Sequence, residues 1–201
     1  MRIGIYGGTF DPVHLGHLIL AETCREVCGL DEVWFMPAAV PPHKQGLQIT
    51  PGKARVEMLK FALAGNSAFR ISTLELERTG PSYTVETLTQ VHQQLPEAQL
   101  HLLIGADTLD DFPNWRQPEG ILELAQLVAV NRGRDPASLE IFSARLGAEA
   151  ASRVRRVDMP GIDISATSLR QRAREGTSLR YLTPRPVQLY IEQQGLYRDE
   201  R

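Results

Sequence analysis

The sequence predicts an α/β fold, a doubly wound parallel sheet with a small helical C-terminal subdomain. Three observations lead there. Short apolar runs alternate with helical patterns, the order expected of a parallel sheet covered by helices. The first run closes on a glycine pair, Gly7-Gly8, and a helical pattern follows it closely. Past about residue 160 the apolar runs give way to purely helical patterns.

Ile3 to Tyr6 reads as a buried first strand, and Gly16 to Cys28 as the first helix, stopped by Gly29. Glu32 to Met36 is the second strand, ended by Pro37. Residues 37 to 50 hold three prolines and one glycine and read as a loop. Thr50 suits an N-cap and Pro51 a first helical position, with Val56, Leu59 and Leu63 on one face of the helix that follows. Phe69 to Leu76 is a short strand region, and Ser82 or Thr84 caps a helix running to about Gln94.

Leu100 to Ile104 is the next strand, leading into Gly105-Ala106-Asp107, and Leu127 to Val130 is the fifth. A helix from about Ala137 to Ala150 and a weak strand at Val154 to Met159 follow. Ile164-Ser165-Ala166-Thr167 opens another helix, and a last one starts near Pro186 and stops at Gly195. This order is Rossmann-like. It divides into a nucleotide-binding α/β core over residues 1–160 and a C-terminal helical part over 161–201, or forms one single domain.

The 201 residues carry a formal net charge of −2, with 42% hydrophobic and 23% charged residues. That is ordinary for a globular chain and gives no global basic field, so neither nucleic acid nor a membrane surface is expected as a partner. Arg153, Arg155 and Arg156 form a local cluster that reads as a solvated edge. No window reaches the roughly 18 unbroken apolar residues of a spanning helix, and the N-terminus lacks a signal-type apolar run. The two cysteines, Cys24 and Cys28, fall on one helix face and read as buried thiols in a reducing compartment. The expected location is the cytoplasm.

The segment Gly7-Gly8-Thr9-Phe10-Asp11-Pro12-Val13-His14-Leu15-Gly16-His17 joins the first strand to the first helix. Ligands of open α/β sheets bind beyond the carboxyl ends of the strands, at such turns. Glycines let backbone approach a ligand, and free N–H groups at a helix start attract phosphate. The segment lacks the Gly-Lys-Ser/Thr of a Walker loop and the Gly-x-Gly-x-x-Gly of a dinucleotide fingerprint. Instead, two histidines flank Leu15-Gly16, and Gly16 leaves room for a nucleotide against the helix. Three roles compete for His14 and His17: a zinc pair, a structural pair, or donors to phosphates. No third ligand follows at a recognised metal spacing.

The run from Gly7 to Pro12 leading into His14-Leu15-Gly16-His17 resembles the H-x-G-H signature of the nucleotidylyltransferase superfamily. Ile164-Ser165-Ala166-Thr167-Ser168-Leu169-Arg170 resembles its I-S-x-T-x-x-R segment. Pro41-Pro42-His43-Lys44, Pro81-Ser82-Tyr83-Thr84, Gly105-Ala106-Asp107 with Trp115, and the stretch from Tyr190 to Arg198 are similar to the bacterial nicotinate mononucleotide adenylyltransferase family. Two positions depart from that family's pattern. Arg116 stands where many members have an aromatic residue, and Ala38 and Ala39 stand where polar residues are expected.

The resemblance implies that ATP and nicotinate mononucleotide react to nicotinate adenine dinucleotide and pyrophosphate, with Mg2+ accompanying ATP, in a monomer or small homo-oligomer. It implies catalytic roles for His14, His17, Lys44 and Arg170. ATP would be held by Gly7, Gly8, Thr9, Phe10, Gly16, Gly105, Asp107, Ile164, Ser165 and Thr167, and the mononucleotide by Tyr83, Thr84 and Trp115. Two of these have a plainer alternative: Asp107 as a helix cap, Trp115 as a packing residue. Arg132 and Arg134 are further candidates beside the adenine. Two other readings remain: a sister transferase acting on another phosphate such as phosphopantetheine, and a non-catalytic nucleotide-binding module.

Overall fold

The computed structural model describes residues 1–39, 49–131, 133 and 139–198. Six strands form one parallel sheet: β1 (Arg2–Gly8), β2 (Glu32–Pro37), β3 (Phe69–Ile71), β4 (Gln99–Gly105), β5 (Ala125–Asn131) and β6 (Arg155–Asp158). Their order in space is β3-β2-β1-β4-β5-β6, so the winding reverses between β1 and β4. The crevice beyond the carboxyl ends of those two strands is where such sheets bind ligands.

Side chains alternate across the sheet, and each face has its own apolar layer. Ile3, Ile5, Leu100, Leu102 and Ile104 face α3 (Thr84–Gln94) and α4 (Pro118–Leu124), packing with Val85, Leu88 and Ile121. Tyr6, Leu103, Val128 and Val130 face the other way. There they meet α1 (Leu15–Cys28), α2 (Gly52–Leu63), α7 (Ala166–Arg174) and α8 (Arg185–Gln193) through Leu20, Leu59, Leu169 and Ile191. The helices after residue 160 therefore share one apolar layer with α1 and α2. Burying a side chain such as Val187 or Ile191 contributes about 1.5–3 kcal/mol.

The structure departs from the sequence expectation at several points. Thr50 does not cap α2; Pro51 holds that position, and the Thr50 N–H and carbonyl bond to Asp11 and Arg55. The strand expected over Phe69 to Leu76 is paired only at Phe69–Ile71. The apolar stretch from Ile121 to Val130 is helix α4 running straight into β5, a join that no glycine or proline marks. The helix expected from Ala137 to Ala150 is two, α5 (Glu140–Leu146) and α6 (Ala148–Ser152), broken at Gly147 where φ is 91°. Among the described residues no helix is long and apolar enough to cross a membrane. Cys24 and Cys28 are buried and free, and burial raises the pKa of both thiols, that of Cys24 to about 12.

Candidate active site

A cavity of about 750 Å³ opens at the carboxyl end of the sheet, where β1 and β4 part. Gly7, Gly8, Thr9 and His17 form one wall, Gly105 and Thr108 another, and Ser82, Tyr83, Thr84, Trp115 and Arg116 a third. The first and second walls follow from where β1 and β4 end. The third is set by the start of α3 and the turn before α4.

The turn after β1 is held from three distant parts of the chain. Asp11 is buried at 4% exposure; its Oδ1 accepts from the Tyr197 hydroxyl at 2.6 Å and its Oδ2 from the Thr50 N–H at 3.2 Å. Arg55, 2% exposed, donates from Nη1 to the Thr9 carbonyl and from Nε to the Thr50 carbonyl, both at 2.8 Å. Burial lowers the Arg55 pKa, and the charge of Asp11 opposes that shift. Burial raises the Tyr197 pKa, and so does Asp11, so the phenol is a fixed donor. Thr183 donates to the Val13 carbonyl at 2.7 Å, and the Leu15 N–H donates to the Leu182 carbonyl at 3.0 Å. None of Asp11, Arg55, Thr183 or Tyr197 figured among the expected site residues. A lone arginine in α2 reads as solvated until its partners, 46 and 5 residues away, are known.

His14 is the N-cap residue of α1 and is buried; His17 lies one turn on. Their rings stack with centroids 3.7 Å apart and planes at 26°. His17 Nδ1 accepts the His14 backbone N–H at 3.2 Å. In the neutral ring the proton then sits on Nε2, leaving that nitrogen as the donor. Phe10 and Tyr6 pack against the same imidazole, with centroids at 5.1 and 6.1 Å. The Phe10 ring is buried in the core, which leaves the backbone as the part of this residue able to face a ligand. The space beside Gly16, expected to admit a nucleotide, is taken by His14: an added Cβ would stand 3.1 Å from its Nδ1.

The second turn meets the first. Arg170 Nη1 donates to the Asp11 carbonyl at 2.8 Å, and its Nη2 to Thr167 Oγ1 at 3.3 Å. Ile162 reaches within 3.9 Å of where a Gly16 Cβ would be. Ser165 caps α7, its Oγ accepting the Ser168 N–H at 3.1 Å, while Ile164 packs on the core. Gly105 caps the short turn after β4; Asp107 lies inside that turn, exposed, and is not its cap. His14, Gly16, Ile164, Ser165, Thr167 and Arg170 lie around the first turn, outside the cavity lining. Lys44, with Pro41, Pro42 and His43, lies outside the described residues, as do Arg132 and Arg134.

On the third wall Trp115 leans on Phe112, with centroids 5.2 Å apart, and the Arg116 guanidinium lies 4.4 Å above the Tyr83 ring. Ser82 Oγ accepts the Ala39 N–H at 3.1 Å, so backbone replaces the polar side chain expected there. Among the described residues, no group of three or more His, Cys, Asp or Glu is placed to hold a metal ion. The zinc reading of the two histidines thus gains no third ligand.

Comparison with known proteins places the chain in a family. The cytidylyltransferase-like family model matches residues 5–172. A protein of Thermomicrobium roseum named probable nicotinate-nucleotide adenylyltransferase is 46% identical over 197 residues, covering 98% of this chain and 92% of its own length. One of the same name from Thermus thermophilus is 46% identical over 198 residues, covering 98% and 100%. The solved structure of Plasmodium falciparum nicotinic acid mononucleotide adenylyltransferase complexed with NaAD shares the fold, with a TM-score of 0.79 at 18% identity over 98% of this chain and 97% of that one.

Proposed function

We infer the reaction from one premise: the chain belongs to the cytidylyltransferase-like family and, within it, to the nicotinate-nucleotide adenylyltransferases. It transfers the adenylyl group of ATP to nicotinate mononucleotide, giving nicotinate adenine dinucleotide and pyrophosphate. A phosphate oxygen of the mononucleotide attacks the α-phosphorus of ATP. The bond from that phosphorus to the bridging oxygen breaks, and its electron pair leaves with pyrophosphate. Such transfers depend on positioning and on stabilising spread negative charge.

The observation that carries the assignment of roles is the meeting of the two turns, Arg170 bonding Asp11 across 159 residues. Through it, two helix starts, those of α1 and α7, serve one triphosphate. His17 donates from Nε2 to the α-phosphoryl oxygens as charge builds, and His14 braces its ring. The Ser165 to Thr167 turn offers N–H groups to the outer phosphates. Lys44 and Arg170 offset charge on the leaving pyrophosphate. Tyr83, Thr84 and Trp115 hold the mononucleotide, and Gly105 and Asp107 the ribose side of ATP. Residues 161–201 complete the ATP site. Asp107 would stand beside a magnesium ion that enters with ATP, and the ion would supply positive charge against the phosphates.

Pyrophosphate release, measured with ATP and Mg2+ and one of three acceptors, tests the reading. Nicotinate mononucleotide is expected to turn over fastest, ahead of its amide form and of phosphopantetheine. Faster release with phosphopantetheine, or none with any acceptor, would overturn it.

A further inference from the structure

The wall that carries Trp115 also carries a charge. Among the described residues lining the cavity, Glu75, Asp111 and Arg116 hold fixed charges, and Arg116 alone is a cation of the guanidinium or ammonium type. Two carboxylates on the wall oppose a carboxylate on the ligand, so Arg116 is the charged group of the lining able to pair with it. Glu75 is already engaged: the Thr87 hydroxyl donates to it at 2.8 Å, and Arg78 donates to that hydroxyl at 2.5 Å.

Arg116 is placed rather than free. Its Nη1 pairs with Glu86 Oε1 at 3.2 Å, and its guanidinium makes a cation–π contact 4.4 Å from the Tyr83 ring centroid. Its side chain remains 52% exposed, and one ion pair leaves further N–H donors of a five-donor fork unused. A planar fork of this kind matches a carboxylate in two-point fashion and gains far less from a neutral carboxamide. Tyr83 and Trp115, the aromatic sides of the same wall, are the surfaces suited to a flat pyridine ring.

We propose that Arg116 is the specificity-determining residue of the mononucleotide site, pairing with the carboxylate on the pyridine ring and disfavouring the amide. The inference rests on the reaction proposed above. It concerns this chain's departure at a position where an aromatic residue would offer no such charge.

The test is kcat/KM for the acid and the amide mononucleotide at saturating ATP, in the parent, Arg116→Gln and Arg116→Lys. Arg116→Gln should lower the value for the acid about tenfold and leave the amide within about twofold, since a half-exposed ion pair is screened. Arg116→Lys keeps the charge and should restore most of the acid's advantage. An equal fall for both substrates assigns Arg116 to packing over Tyr83 and overturns the proposal, as does no change for either, or a parent with no preference. A parent inactive with both mononucleotides overturns the reaction itself. A parent that prefers the acid, with that preference intact in Arg116→Gln, overturns only this inference.

Discussion

The hydroxyl of Tyr197 donates to Asp11 Oδ1 at 2.6 Å, joining residues 186 positions apart. With Arg55 beneath, this contact fixes the turn that leads to His14. Arg55→Met would leave the Thr9 and Thr50 carbonyls without their donor, so it should destabilise the fold by about 1–3 kcal/mol for each. Tyr197→Phe, which removes one donor, should cost about 1–3 kcal/mol. Urea denaturation of both variants measures the difference, and equal, negligible losses would deny the network its role.

His17→Ala should lower kcat far more than it weakens ATP binding. Loss of one donor to developing charge costs about 2.7–4 kcal/mol of barrier, or roughly 100- to 1000-fold in rate. Steady-state turnover with ATP titrated separately checks this, and a rate within about threefold of the parent rejects the assignment.

Gly16→Ala separates geometry from stability. The added methyl would press on the His14 ring from 3.1 Å, displacing the stacked pair. A small misplacement of this kind should lower kcat about tenfold. Alanine is a better helix residue than glycine by roughly 1 kcal/mol, so the melting temperature should hold or rise. A fall in both would point to general disruption.

Trp115→Ala should raise KM for the mononucleotide more than KM for ATP, because one substrate alone brings a pyridine ring to that wall. Initial-rate matrices in both substrates measure it. Equal increases would place Trp115 in packing against Phe112 instead.

Acid should weaken the fold through His101. Burial lowers its pKa below 6.5, and Arg2 and Arg155 act in the same direction. Between the folded and unfolded pKa values the unfolded chain binds more protons, so stability rises with pH. The contribution is complete above the unfolded value of 6.5 and is lost as pH falls toward the lower folded value. Urea midpoints at about pH 7.5 and about pH 5.5 should differ more in the parent than in His101→Gln.

The sheet was legible in the sequence because buried parallel strands read as apolar runs bounded by glycines. The turn from Gly7 to His17 and the segment from Ile164 to Arg170 were legible because their residue types are unusual together. The α4–β5 join escaped because apolar periodicity does not change where a helix enters a strand without a breaker. The clamp of Asp11, Arg55 and Tyr197 escaped for a different reason: each is an ordinary polar residue until folding removes water from all three. Gly16 read as space for ligand, and only folding brings the His14 ring to stand there.

The tie between Asp11 and Tyr197 also sets an order of events. A polypeptide grows from its amino end, so the glycine turn emerges early and waits 186 residues for the phenol that locks it. Through most of translation the nascent chain carries His14 and His17 on an unfastened turn. That turn is fastened when Tyr197, past α8, has been made, whatever the sheet has achieved before then.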